Sequence, residues 1–224
     1  MNRLGVAMAA LLLAGTGWAQ ERLSFTTEDG VRIHAHLYGK GERGVVLAHG
    51  GRFVKESWAR QARALEGAGF RVLAFDFRGF GESKGPKEAD LGAPLHQDVL
   101  AAVRYLRETG AKTVSVVGGS MGGSAGADAI VQGKPGLIDR LVVLGAGAGS
   151  GPPERISGRK LFIVTRDDAS GSGPRLPRIQ AQYAKIPEPK EMVILEGSAH
   201  AQFMFETDQG ERVMREILRF LLAP

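Results

Sequence analysis

The 224-residue chain contains no cysteine. That absence removes disulfides, thiol nucleophiles, cysteine metal sites and a lipid-modified cysteine after a leader, so stability has to come from a packed core. Long apolar runs are equally scarce. The one at the N-terminus, Leu4 to Leu13, falls short of the roughly 20 residues a membrane-spanning helix needs. The basic excess is modest, a formal +5 with scattered lysines and arginines, and no clustered stripe marks a nucleic-acid surface. No glycine-rich dinucleotide loop is present either. Gly145, Gly147 and Gly149 lack both the G-x-G-x-x-G spacing and a following helix.

What is present is ordinary globular composition, 43% hydrophobic and 24% charged, in a length suited to a single α/β domain. The start, Met1-Asn2-Arg3, the apolar run and then Gly17 and Ala19, has the layout of a secretory signal peptide. Residues 1–19 are therefore expected to be removed, leaving 20–224 as a secreted or periplasmic domain with no membrane attachment.

Two alternating stretches, Leu23 to Thr27 and Val31 to Tyr38, flank the turn Glu28-Asp29-Gly30 and predict an antiparallel hairpin. His34 and His36 share one face of its second strand, but no third ligand lies near and no metal site is expected. Buried strands are predicted at Val45 to Ala48, Arg71 to Phe77, Val114 to Val117, Leu141 to Leu144, Leu161 to Thr165 and Met192 to Leu195. Helical spacing covers about Lys55 to Ala68, Pro94 to Glu108, Arg178 to Lys185 and Glu211 to Leu222, with Leu95, Val99, Val103 and Leu106 as a core stripe. Gly145 to Lys160 holds no helix. Strands alternating with helices imply a mostly parallel central sheet, helices on both faces, and ligands at the carboxyl ends of the strands.

The chemistry gathers at those ends. Gly118, Ser120 and Gly122 form G-x-S-x-G after a strand, and small residues Gly122, Gly123, Ala125, Gly126 and Ala129 follow for close helix packing. This is a nucleophile elbow, in which a tight turn exposes one hydroxyl. A serine hydroxyl needs a base, and that imidazole needs a carboxylate. His200 follows one strand, the adjacent pair Asp167-Asp168 follows another, and Glu196 is a weaker third carboxylate. An oxyanion needs two N–H donors, which Met121 and the loop at Gly51 can supply, although spacing leaves Arg52 open beside Gly51.

The sequence resembles the α/β-hydrolase superfamily from about Leu23 onward. The resemblance rests on His49-Gly50-Gly51, Asp76-x-Arg78-Gly79-x-Gly81-x-Ser83, Gly118-x-Ser120-x-Gly122, Thr165-Arg166-Asp167-Asp168 and Gly197-Ser198-Ala199-His200, in that order. It implies an α/β-hydrolase fold with Ser120 as nucleophile, His200 as base and an aspartate after the penultimate strand. It favours Asp168, because relatives commonly end this strand in G-x-x-D and Thr165 stands at the glycine. It makes His49, Asp76 and Arg78 supports of their loops. Many relatives carry a helical cap where this chain has only Gly145 to Lys160, so an open site is expected, preferring short soluble acyl chains.

The implied activity is a serine hydrolase of small-molecule carboxylic esters, with no cofactor or metal. Alternatives of the same fold are a serine peptidase or amidase and an acyltransferase, and beyond them a non-catalytic binding module, whose mark would be a lost triad member.

Overall fold

The computed structural model describes residues 20–85 and 93–224. The expected leader at 1–19 lies outside them. The hairpin forms from β1 (Glu21–Thr26) and β2 (Arg32–Tyr38), paired antiparallel from Glu21 opposite Leu37 to Thr26 opposite Arg32. Thr27 closes its turn, its Oγ1 accepting from the Val31 N–H at 2.8 Å.

Then β3 (Arg43–Ala48), α1 (Ala59–Gly67), β4 (Phe70–Phe75), α2 (Leu95–Glu108), β5 (Thr113–Gly119), α3 (Met121–Gln132), β6 (Arg140–Leu144) and β7 (Arg159–Thr165) alternate along the chain. A two-residue hairpin, β8 (Ala169–Ser170) with β9 (Gly173–Pro174), leads into α4 (Leu176–Lys185), β10 (Lys190–Leu195) and α5 (Gly210–Leu222). The main sheet runs β1-β2-β4-β3-β5-β6-β7-β10. Every pairing from β4 to β10 is parallel, and β2 joins β4 antiparallel. This is the doubly covered, mostly parallel sheet with an N-terminal hairpin that the alternation predicts.

Side chains of a strand alternate between faces, so each parallel strand feeds two cores. Val46, Val116, Leu141, Val143 and Phe162 point to one face, under α2, α3 and α4. Val45, Leu47, Val117, Val142 and Leu161 point to the other, under α1 and α5. The stripe Leu95, Val99, Val103 and Leu106 of α2 is buried against the first face. Each such side chain contributes about 1.5–3 kcal/mol by leaving water.

Three local departures from the sequence reading have physical causes. The helix expected from Lys55 begins as a 3-10 turn, Lys55–Trp58, before α1. Lys55 anchors that turn, its backbone N–H and its Nζ both donating to Asp76 at 2.8 Å. Within Gly145 to Lys160 a single 3-10 turn, Pro153–Arg155, breaks the loop. The helix expected from Arg178 starts two residues earlier, at Leu176, with Pro177 in its first turn, where a missing N–H costs nothing.

Candidate active site

The parallel strands end on one side of the sheet, and β5 carries Ser120 there. Its backbone is left-handed, φ +48°, a conformation costing a non-glycine residue about 1–3 kcal/mol. Packing holds it. A Cβ on Gly118 would strike the Gly122 carbonyl, and one on Gly122 would strike the Ala48 carbonyl, so both glycines of the motif are needed for strand and helix to meet. The Ser120 N–H donates to the Leu144 carbonyl on β6 at 2.8 Å, locking the elbow to the next strand.

His200 lies 2.8 Å from Ser120 Oγ through Nε2 and 2.6 Å from Asp168 Oδ2 through Nδ1. A carboxylate can only accept, so the proton sits on Nδ1, and Nε2 offers its lone pair to the serine hydroxyl. Asp168 is 2% exposed. Its other oxygen lies 3.2 Å from Arg175 Nε, and its carbonyl accepts the Arg175 N–H at 2.8 Å across the β8–β9 hairpin. The strand ends are laced together as well. Thr165 Oγ1 donates to the Ala199 carbonyl at 2.9 Å, and the Asp167 N–H donates to the Gly197 carbonyl at 3.0 Å. The Asp167 side chain is exposed, and Glu196 is held in solvent by Arg166 at 2.9 Å. Of the three candidate carboxylates, only Asp168 reaches the imidazole.

Met121 opens α3, where first-turn N–H groups have no intrahelical acceptor, and Gly51 follows β3. Both line one cavity of about 360 Å³ with Ser120 and His200, and Arg52 lines it too. A second cavity of about 500 Å³ shares Met121, Ser124 and Gly149 with the first, so the two join as one cleft. Among the described residues, no helix between β6 and β7 covers it.

His49 is fully buried, and its role follows from its tautomer. The Phe77 N–H donates to Nε2 at 3.1 Å, so Nδ1 carries the proton towards the Gly50 carbonyl at 2.9 Å. Burial lowers its pKa, keeping it neutral. Asp76 accepts from Lys55 and from the Glu82 N–H at 2.9 Å. Burial opposes the charge of Arg78, but hydrogen bonds to Asp29 and Asp98 outweigh it and keep the guanidinium protonated. These three side chains hold loops and do not face the cleft lining.

One functional contact carries no sequence signal. Gln202, two residues beyond His200, accepts the Gly50 N–H at 2.7 Å and donates to Ser57 Oγ at 2.8 Å. It ties the loop of the imidazole to the loop of Gly51. His34 and His36 remain apart from the cleft. His36 is buried, which lowers its pKa, with Nε2 3.8 Å from Glu56. No group of three metal-ligating side chains occurs among the described residues, and no helix among them is long and apolar enough to cross a membrane.

Comparison with known proteins agrees with this fold. A family model described as alpha/beta hydrolase fold matches residues 44–186, which include the Gly51 loop, Ser120 and Asp168. A 2-hydroxy-6-oxononadienedioate/2-hydroxy-6-oxononatrienedioate hydrolase of Cupriavidus pinatubonensis is 36% identical over 130 residues, 55% of this chain and 44% of that protein. An epoxide hydrolase of Caballeronia sordidicola is 38% identical over 68 residues, 30% of this chain and 20% of its own. The matched stretches thus span less than half the length of these curated relatives. Among solved structures, an esterase of Pyrococcus furiosus superposes with a TM-score of 0.74 at 20% identity, covering 91% of this chain and 90% of its own.

Proposed function

The chain belongs to the α/β hydrolase fold family, and from that premise we propose that it is a serine hydrolase of carboxylic esters, working through an acyl-enzyme on Ser120. The observation that carries this reading is the unbroken hydrogen-bond line from Asp168 through His200 to Ser120, at 2.6 and 2.8 Å.

Ser120 Oγ attacks the ester carbonyl while His200 Nε2 takes its proton, and Asp168 steadies the resulting imidazolium. The N–H groups of Gly51 and Met121 receive the oxyanion, stabilising charge that develops only in the transition state. His200 then hands the proton to the departing alkoxide. A water enters, gives His200 a proton and attacks the acyl carbon, and collapse releases the carboxylic acid and restores Ser120. The open cleft supports short soluble esters as substrates and gives water free access to the acyl-enzyme, which favours hydrolysis over acyl transfer. The leader-like residues 1–19 support a secreted or periplasmic location.

The test is Ser120→Ala in the mature protein, assayed with 4-nitrophenyl esters from acetyl to palmitoyl and with an active-site-directed fluorophosphonate. Turnover is expected to fall by about 10⁵-fold or more with the fold intact, since loss of a triad member leaves only the oxyanion hole and binding. Labelling should be lost with it. Near-parental turnover in the variant would end the reading.

A further inference from the structure

The cleft wall is electrically one-sided. Three arginines line the Ser120 cavity: Arg52 from the loop after β3, and Arg175 and Arg178 from the start of α4. Among the described residues, no carboxylate side chain lines it. Asp168, behind His200, is already matched by that imidazole and by Arg175. Arg52 and Arg178 are exposed and have no hydrogen bond or ion pair among the described residues. Elsewhere Arg78 has Asp29 and Asp98, and Arg107 has Asp139.

The position of the two α4 arginines sharpens the point. Cations are disfavoured at a helix N-terminus, where the backbone dipoles already present positive potential. Yet α4 carries Arg175 at its N-cap and Arg178 in its first turn, with no acidic residue there to offset them. The N-terminus of α3 faces the same cavity through Met121, again without an acid in its first turn. The helix is not free to swing away. Gln182 of α4 accepts the Ala148 N–H at 3.2 Å, and the Arg175 N–H is bound to Asp168 at 2.8 Å. The adjoining cavity is mixed, with Leu95 and Ala125 beside His96, Ser124, Gln132 and an Asp128 whose carboxylate accepts from Ser150 and Gly151.

We propose that the substrate of this site is an anionic ester, carrying a carboxylate that Arg178 and Arg52 bind beside Ser120 while its uncharged part extends into the adjoining cavity. This rests on the serine-hydrolase reading and adds the substrate class. Arginine suits the task because its planar fork meets a carboxylate with two parallel hydrogen bonds. Asp128 in the adjoining cavity disfavours a second anion there.

The experiment pairs esters that differ in one charge. For the acyl half, the mono-4-nitrophenyl ester of glutaric acid is compared with 4-nitrophenyl butyrate. For the alcohol half, 4-acetoxybenzoate is compared with its methyl ester. One anionic member should exceed its neutral partner in kcat/KM by about tenfold, as expected for a charge-assisted bidentate contact. Arg178→Gln and Arg52→Gln should each lower that ratio, the double variant should abolish it, and Arg178→Lys should retain part of it. A ratio at or below one in both pairs, with the neutral esters turned over, overturns this inference and leaves the hydrolase reading standing. A preference that the glutamine variants leave unmoved overturns it equally. Failure to turn over any of the four esters overturns both.

Discussion

Two buried aspartates sit at strand ends in this molecule, and they behave differently. Asp76 follows β4, is fully buried, and accepts from the Lys55 N–H, the Lys55 ammonium and the Glu82 N–H. Asp168 follows β7, is almost as deeply buried, and meets one imidazole and one arginine at the rim of an open cleft. All the partners of Asp76 are fixed, two of them backbone, and Lys55 is in turn surrounded by Glu56 and Glu82 at 3.0 and 2.9 Å. Burial works against the Lys55 charge, but these acids outweigh it and raise its pKa. In the proposed mechanism Asp168 instead steadies the ring that carries the serine proton. A closed ionic knot holds shape, and a carboxylate that gives one oxygen to an imidazole at a cleft is, on the proposed reading, placed for chemistry.

The comparison breaks most sharply by mutation of Asp168. Asp168→Asn should cost about 10⁴-fold in turnover with the fold preserved, because the amide lets the imidazole take the wrong tautomer. Its exposed neighbour gives the control: Asp167→Asn should stay within about threefold, as surface changes generally do. Steady-state ester kinetics and circular dichroism check both, and the opposite order of effects would shift the role to Asp167.

Asp76→Asn should do the converse, lowering stability by about 1–3 kcal/mol, because it removes the buried one of three carboxylates on the Lys55 ammonium and an acceptor of two backbone N–H groups. Denaturant unfolding measures this. An Asp76 variant as stable as the parent but inactive would erase the distinction drawn here.

The smallest effect concerns the acid limit. The Arg78 hydrogen bond lowers the Asp29 pKa from 3.8 to about 2, partly against burial. A depressed folded value means that the stabilisation is complete above the unfolded pKa of 3.8 and fades as pH falls towards 2. Between pH 4 and 2 the Arg78 to Asp29 link should weaken, and Asp29→Asn should flatten that part of the stability curve. Thermal unfolding across this range is the check.

Much of this was legible in the chain because the signals are local. Strand runs bounded by glycine gave the sheet, and G-x-S-x-G gave the turn whose geometry the Gly118 and Gly122 contacts explain. The choice of Asp168 over Asp167 came from the resemblance to relatives that end this strand in G-x-x-D, whereas the divergence of consecutive side chains at a strand end required only that one of the two face away. Other parts were not legible, because their cause lies far away in sequence. Arg178 looked like an ordinary helix residue until α4 was seen to begin at Leu176, after a hairpin too short to leave a periodic pattern. The Lys55 knot joins residues 21 apart, and no spacing rule links Gly50 to Gln202, 152 residues away.

That last link bears on when activity can arise during synthesis. Ser120 and the Gly51 loop emerge before His200 and Gln202, with 80 residues between Ser120 and His200. A ribosome-bound chain halted before position 200 carries the nucleophile without its base. One halted just beyond it still lacks the side chain that joins the base loop to Gly50. In the proposed mechanism, ester cleavage therefore waits until the chain has grown past Gln202.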